Sequence, residues 1–259
     1  MTTDYAHLLT ETRLLDFSAP QIQQLITDRG WRALAPYDQI GAVHDFVRNE
    51  IAFGYNADDA LPASRVLSDG YGQCNTKGIL LMALLRVLGI PCRLHGFTIA
   101  KSLQRGIVPE LPYRFAPREI VHSWVEVLHQ DRWITLEGFI LDDPLLIALQ
   151  SRFGGGSLCA YGVGTACLEA PAVTWHGTDT FIQSTGITRD FGLFDTPDAF
   201  FADHRQRLGI LRVTLYRFAI RHWMNARVRA MRAGNIPSIP GGPDSAPANS
   251  DRKGPSNAA

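Results

Sequence analysis

Residues 70–89 read GYGQCNTKGILLMALLRVLG, and this stretch decides the fold. From Gly78 onward nearly every position is apolar, which predicts a helix that is buried on all sides and stops at Gly89. Cys74 stands at the start of this helix. A helix N-terminus carries roughly half a positive charge and unbonded backbone N–H groups, so it lowers the pKa of a thiol placed there and binds a developing oxyanion. Cys74 is therefore the candidate nucleophile.

A base for this thiol is offered by residues 121–128, which read VHSWVEVL. A lone cysteine is usually a small buried hydrophobe, so a partner is needed before Cys74 is read as reactive. Apolar and polar residues alternate here with period two, which predicts a strand. His122, Trp124 and Glu126 then share one face of that strand, and His122 is the candidate base.

A carboxylate for the histidine is offered by Glu137. Residues 130–131 can close a hairpin, and a loop of two or four residues pairs Leu128 with Trp133. Glu137 then lies diagonal to His122 on the same face, about 7 to 8 Å away at the backbone and within side-chain reach. A three-residue loop would turn Glu137 to the opposite face, so the prediction depends on the register.

Nucleophile, base and carboxylate together form an acyl-transfer constellation. Cys74 attacks a carbonyl carbon, His122 takes the thiol proton and returns it to the leaving group, and Glu137 orients the imidazole and stabilises its cation. The backbone N–H of Cys74 is one oxyanion donor. The alternative for His122 and Glu137 is an exposed pair on a half-solvated sheet.

The segments at residues 70–74, 83–93, 122–127 and 133–137 resemble the transglutaminase-like cysteine enzyme superfamily, a branch of the papain-like fold. The resemblance spans roughly residues 36–140. It implies a core in which a central buried helix carries the cysteine at its N-terminus. With the strands predicted around it, this gives an α+β fold: the helix packs on an antiparallel sheet, and extra helices lie at both ends.

The resemblance maps a Cys-His-acid triad onto Cys74, His122 and Glu137. The family uses Asp where this chain has Glu, whose extra methylene changes its reach. Asp142 and Asp143, just downstream, are therefore alternative orienting carboxylates.

Two further residues are candidates for contact with the oxyanion or the substrate. Tyr55 lies upstream of the nucleophile, where the family often has an aromatic residue, and Gln73 directly precedes Cys74. Residues 75–76 read Asn-Thr where the family has an aromatic residue or Asp, and residues 91–93 read Pro-Cys-Arg where it has Pro-Ala-Arg. These departures indicate a divergent bacterial-type member.

Composition and charge restrict the function classes. Lys plus Arg and Asp plus Glu number 25 each, so net charge does not favour nucleic acid as a partner. No stretch reaches the roughly 18 uncharged apolar residues of a membrane span, and residues 1–18 do not read as a leader peptide, so we expect a cytoplasmic enzyme. The four cysteines form neither a disulfide framework nor a full zinc-ligand set, and neither cofactor nor metal is predicted.

The chain divides into five predicted segments: an N-terminal helical extension at 1–35, the catalytic core at 36–150, a glycine-rich loop region at 151–195, basic amphipathic helices at 196–233 and a disordered tail at 234–259. The glycine-rich region is read as a flexible loop, or alternatively as a lid over the cleft. Residues 101–117 are read as an irregular insertion beside the cleft. His95 is a rival base that lacks a nearby acid in the sequence.

The basic helices carry eight arginines between residues 205 and 232, interleaved with large apolar residues. They are predicted to pack on the core with an arginine-rich face in solvent, or to meet an anionic substrate, a protein partner or a membrane leaflet.

The expected function is hydrolysis of an amide or peptide bond, in a small molecule or a peptide, through a thioester on Cys74. Transfer of the acyl group to an amine uses the same residues and is the first alternative. A binding protein that keeps the fold without the chemistry is the second, supported by Glu in place of Asp at residue 137.

Overall fold

The structure, a computed structural model, describes residues 5–206 and 209–240. In this part of the chain the α-helices are α1 Pro20–Asp28, α2 Pro36–Asn49, α3 Ala63–Asp69, α4 Cys74–Val87, α5 Glu110–Phe115, α6 Asp143–Phe153, α7 Pro197–Asp203, α8 Ile210–Leu215 and α9 Arg221–Arg232. The strands are β1 Ala52–Phe53, β2 Tyr71–Gly72, β3 Cys92–Ala100, β4 Glu119–His129, β5 Arg132–Leu136, β6 Leu158–Ala160, β7 Val163–Thr165 and β8 Ile187–Phe194. The predicted α+β class is confirmed.

The main sheet has four antiparallel strands in the order β5-β4-β3-β8. Leu128 pairs with Trp133, so the predicted register of the β4–β5 hairpin is confirmed. Gln130 and Asp131 form its two-residue loop, and both have positive φ angles, 50° and 60°. Tight hairpins need this backbone conformation because it matches the twist of the strands.

Helix α4 is the centre of the core. Every residue from Asn75 to Arg86 is buried, and the helix packs against β4 on one side and against α2 and α3 on others. Strands β3 and β4 turn Leu94, Val125 and Val127 toward this core. Burial of each such side chain contributes roughly 1.5 to 3 kcal/mol, so the apolar run after Cys74 fixes the helix position.

The region predicted as a glycine-rich loop contains ordered strands, which corrects that expectation. Strands β6 and β7 form a hairpin, and β8 extends the main sheet by pairing with β3. Most β8 side chains are exposed or half-buried, so this edge strand lacks the alternation that marks a strand in sequence. The Phe200 ring packs directly on Gly96 of β3. A side chain at residue 96 would not fit there, since an added Cβ would lie 2.2 Å from the ring.

Residues 101–117, predicted as irregular, include the short helix α5 and a 3-10 turn at Lys101–Gln104. At the C-terminal end, α8 runs through a π-helical segment, Tyr216–Ile220, into α9. Met224, Val228 and Met231 of α9 are buried. The predicted packing on the core is therefore found for α9, whereas α8 has no buried residue.

The predicted disordered tail lies outside the described residues from position 241 onward. Within residues 5–206 and 209–240, no helix combines the length and the hydropathy needed to cross a bilayer.

Candidate active site

The start of α4 is fixed by the side chain of Gln73. Gln73 and Thr76 cap each other's backbone N–H groups, which satisfies donors that a helix start leaves without partners. The Gln73 side-chain oxygen also accepts from the backbone N–H of Asn56 at 2.9 Å, and its Nε2 donates to Asp59 at 2.8 Å. These contacts hold Cys74 at the first position of the helix. Gln73 also lines the cleft, so a contact of its side chain with the oxyanion or the substrate stays a prediction.

Cys74 is half-buried and lines a cleft. The other three cysteines are placed differently. Cys92 is fully buried on β3, and burial raises its pKa to about 11 despite the opposing effect of Arg86. Cys159 and Cys167 are exposed and lie outside the cleft lining. Of the four cysteines, Cys74 is the one that combines three features of a reactive thiol: a position at a helix N-terminus, partial exposure and a neighbouring histidine.

Asn75, the residue after the nucleophile, ties the helix start to strand β4. Its Nδ2 donates to the carbonyl of Val121 at 3.1 Å, and its Oδ1 accepts from the Ser123 hydroxyl at 2.9 Å. These two residues flank His122, so the Asn75 amide sets the position of Cys74 relative to His122. Sequence analysis treated Asn75 only as a departure from the family pattern. The signal for its role was Ser123, a hydroxyl on the core face of β4 that needs a buried partner.

His122 and Glu137 are brought together, and both side chains are fully buried. Nε2 of His122 lies 3.3 Å from Oε1 of Glu137. The second oxygen of Glu137 accepts from the backbone N–H groups of Ile182 and Gln183, both at 2.9 Å. The hydroxyl of Thr180 accepts from the Glu137 backbone N–H at 3.1 Å. The carboxylate is therefore held on both oxygens, by His122 on one and on the other by backbone donors that the sequence does not identify.

The second nitrogen of His122, Nδ1, is buried and makes no hydrogen bond to a described residue. It is the ring atom left for the thiol of Cys74. Burial by itself lowers the pKa of His122, but Cys74 and then Glu137 outweigh it and raise that pKa to about 10. These neighbours thus favour the protonated form of His122. The Phe97 ring packs edge-on against the imidazole, with 4.8 Å between the two ring centroids.

Tyr55 lines the same cleft as Cys74. Asn225 of α9 holds its backbone, accepting from the Tyr55 N–H at 2.7 Å and donating to its carbonyl at 3.0 Å. Burial raises the pKa of Tyr55, and Tyr216, Cys74 and Asp59 act in the same direction. The phenol is therefore a neutral hydrogen-bonding group close to the thiol.

Asp142 and Asp143 make other contacts. Asp142 caps α6, accepts from the backbone N–H of Phe53 at 2.8 Å and pairs with Arg232 at 2.6 Å. Burial opposes ionisation of Asp142, but Arg232 outweighs it and lowers its pKa. Asp143 is half-exposed and pairs with Arg48. Among the described residues neither carboxylate contacts His122: Asp142 anchors α9 through Arg232, and Asp143 anchors α2 through Arg48.

His95 has no acid close to it in the sequence, but the fold brings two acids to its ring. Its Nδ1 lies 3.2 Å from Glu126 of β4, and its Nε2 lies 2.8 Å from Asp190 of β8. Both acids reach it from other strands, which a local search of the sequence does not reveal. The pKa of His95 is raised, first by its hydrogen bond to Glu126 and then by Asp190, against burial.

Among the described residues, no group of three His, Cys, Asp or Glu side chains is arranged to hold a metal ion.

The cleft beside Cys74 has a volume of about 760 Å³. One side is formed by the end of β3, the following turn and α5, and the other by α8, the π-helical segment and the start of α9. Two residues of the predicted loop region, Gly162 and Gln183, also line it. A volume of this size is typical of small-molecule sites.

Two solved structures are similar to part of this chain. One is a candidate cysteine protease from Cytophaga hutchinsonii, with 19% identity and a TM-score of 0.41, matched over 53% of this chain and 42% of the other. The other is a candidate protease from Parabacteroides distasonis, with 15% identity and a TM-score of 0.32, matched over 51% of this chain and 26% of the other. This chain thus spans less than half the length of either structure.

No curated protein matches the sequence. The family model of the transglutaminase-like superfamily matches residues 26–138, a range that holds Cys74, His122 and Glu137. The match confirms the predicted resemblance and supports a cysteine enzyme in general. Over residues 26–138, somewhat less than half of its length, this chain is similar to the transglutaminase-like superfamily.

Proposed function

We propose that the protein is a cysteine hydrolase that cleaves an amide bond through a thioester on Cys74. One observation carries the proposal. Fully buried His122 meets Glu137 through Nε2 and keeps Nδ1 for Cys74, whose thiol opens into a cleft. The family match supports the class of enzyme, and the contacts around His122 support the roles given to each residue.

In the first half-reaction, the Cys74 thiolate attacks the carbonyl carbon of the bound amide and forms a carbon–sulfur bond. The carbonyl electron pair moves to oxygen, where backbone N–H groups at the start of α4 stabilise the negative charge. The intermediate then collapses, the carbon–nitrogen bond breaks, and His122 gives its proton to the departing amine. The thioester on Cys74 remains.

In the second half-reaction, a water molecule attacks the thioester carbonyl. Neutral His122 takes a proton from this water, the carbon–sulfur bond breaks, and the acid leaves. Cys74 is again a thiolate beside a protonated His122. The net reaction is amide plus water to acid plus amine.

Glu137 supports both steps through His122. Its charge stabilises the imidazolium, and its bond to Nε2 orients the ring so that Nδ1 points to the reacting atoms. The backbone N–H groups of Ile182 and Gln183 prevent the carboxylate from turning away. The longer Glu side chain therefore takes the place of the family's Asp without leaving a mobile acid.

An activated ester tests this proposal without knowledge of the natural substrate. With p-nitrophenyl acetate, the wild-type protein is expected to release a burst of nitrophenol and to carry one acetyl group on Cys74, located by peptide mass spectrometry. Cys74→Ala is expected to lose the burst, and Cys159→Ala, the control at an exposed thiol, to keep it. Acetylation spread over Cys159 and Cys167, or an unchanged burst in Cys74→Ala, contradicts the proposal and favours a binding protein.

The fate of the thioester separates hydrolysis from transfer. Acetate as the product in the presence of a primary amine supports hydrolysis. A stable acetyl amide formed faster than acetate shows that the enzyme is a transferase, which uses the same three residues.

A further inference from the structure

The walls of the cleft are mainly apolar, and they begin beside the nucleophile. Leu103 and Val108 line it on the side of β3 and α5, and Ile220 and Met224 line it on the side of the C-terminal helices. Leu103, Val108 and Met224 are buried by the fold itself. The apolar cleft is therefore preformed, and a ligand does not have to create it.

The apolar lining continues outward to the protein surface. Leu111 and Phe115 of α5 are 72% and 64% exposed, and Leu211 of α8 and Trp223 of α9 are 82% and 54% exposed. All four line the cleft. Large apolar side chains grouped in this way mark a binding surface, because scattered exposure does not place them along one groove.

Several polar groups of the lining bond to each other or to the helix cap, whereas the side-chain oxygen of Gln183 is buried and makes no hydrogen bond to a described residue. Gln73 donates to Asp59, and Arg217 pairs with Asp58 at 2.9 Å. An extended peptide in this cleft would bury backbone N–H and C=O groups against apolar walls, and each group left without a partner weakens binding. An aliphatic chain carries no such groups.

The sequence that follows residue 240 contains no apolar segment. Residues 241–259 read GGPDSAPANSDRKGPSNAA, which contains no large apolar side chain. Because Cys74 itself lines the cleft, we expect the substrate to occupy the groove.

On the basis of the function proposed above, we propose that the acyl group transferred to Cys74 is a long aliphatic chain, and that the substrates are fatty-acyl amides. The carbonyl carbon lies at Cys74, and the chain runs along Val108 and Ile220 toward the apolar mouth. Each buried methylene is expected to raise kcat/KM about two- to fourfold until the groove is filled.

A chain-length series tests this inference. The p-nitrophenyl esters of acetate, butyrate, hexanoate and octanoate are compared below their aggregation limits, with the rate of Cys74→Ala subtracted. The value of kcat/KM is expected to rise about 60-fold or more from acetate to octanoate. A flat or falling series with Cys74-dependent acetate turnover intact overturns the acyl-chain inference alone. No Cys74-dependent turnover of any ester overturns the proposed function itself.

Variants at the mouth locate the chain. Leu111→Ser combined with Phe115→Ser is expected to reduce the ratio of octanoate to acetate kcat/KM about tenfold. The matched control is Ile147→Ser, since Ile147 is 58% exposed on α6 and does not line this cleft. An unchanged ratio in the double variant contradicts the inference. So does a peptide p-nitroanilide that is cleaved faster than octanoyl p-nitroanilide.

Discussion

His122 and His95 lie on the same face of the sheet, on neighbouring strands, and each contacts a carboxylate. They differ in how many of the two ring nitrogens contact a carboxylate. His95 has Glu126 at one nitrogen and Asp190 at the other, so both positions are taken. His122 has Glu137 at Nε2 only.

The two histidines also differ in burial. The His122 side chain has no exposure, whereas that of His95 is 18% exposed. In the buried site, charges act strongly because water does not screen them. A histidine and an acid do not by themselves make a catalytic pair. In the function proposed above, the decisive feature is the ring nitrogen of His122 that lies open beside the thiol.

The largest expected effect comes from removing either member of the reacting pair. Cys74→Ala and His122→Ala are each expected to lower kcat/KM about 10³-fold or more, because the two groups act as one unit. His95→Ala, the matched control, is expected to stay within about threefold of wild type. Steady-state ester kinetics measure this, with circular dichroism to verify folding. A loss of kcat/KM in His95→Ala as large as that in His122→Ala would contradict the different roles given to the two histidines.

The next effect comes from the orienting carboxylates. Glu137→Gln keeps the shape but loses the charge that stabilises the imidazolium, and a loss of about 10² to 10⁴-fold in kcat is expected. Glu126→Gln makes the same change beside His95 and is expected to leave kcat close to wild type. An unchanged rate in Glu137→Gln would make Asp142 or Asp143 the acid to test next.

A smaller effect is expected at Asn75. Asn75→Ala leaves the Ser123 hydroxyl and the Val121 carbonyl without their partner, at a cost of about 1 to 3 kcal/mol in unfolding free energy. Since the tether also positions Cys74 against His122, kcat is expected to fall about tenfold. Urea unfolding and ester kinetics measure the two quantities. A stability loss with an unchanged kcat would show that the tether only supports the fold.

The smallest effect concerns pH and His95. The pKa of His95 is raised in the folded state by Glu126 and Asp190, so its contribution to stability is fully present below the unfolded pKa of about 6.5. It is lost as the pH rises through the folded pKa. His95→Gln is therefore expected to destabilise by up to about 1 kcal/mol near pH 5.5 and by less near pH 9. Thermal melts at both pH values measure the difference, and the opposite order would contradict it.

Local sequence patterns made the arrangement of Cys74, His122 and Glu137 predictable. The apolar run after Cys74, the period-two alternation around His122 and a two-residue turn before Glu137 each lie within a short window of sequence. The register between β4 and β5 follows from that turn, which is why the diagonal approach of Glu137 to His122 was visible.

The remaining contacts come from distant parts of the chain. Asp190 reaches His95 from β8, whose exposed edge position leaves no alternation to read. The N–H groups of Ile182 and Gln183 bind Glu137 through the backbone, and a backbone donor has no signature in residue type. The apolar residues of the mouth come from two distant segments, α5 and the basic C-terminal helices, and only the fold shows that they line one cleft.

The most direct test of the central claim is the rate at which iodoacetamide alkylates each cysteine between pH 5 and pH 9. Peptide mass spectrometry reads the rates in wild type, His122→Ala and His95→Ala. In the wild type, Cys74 is expected to be alkylated fast already near pH 6. Its alkylation rate is expected to fall about tenfold or more in His122→Ala and to stay unchanged in His95→Ala. Buried Cys92 is expected to stay unlabelled in the folded protein. A Cys74 that reacts like exposed Cys159 in all three proteins would contradict the thiolate–imidazolium pair.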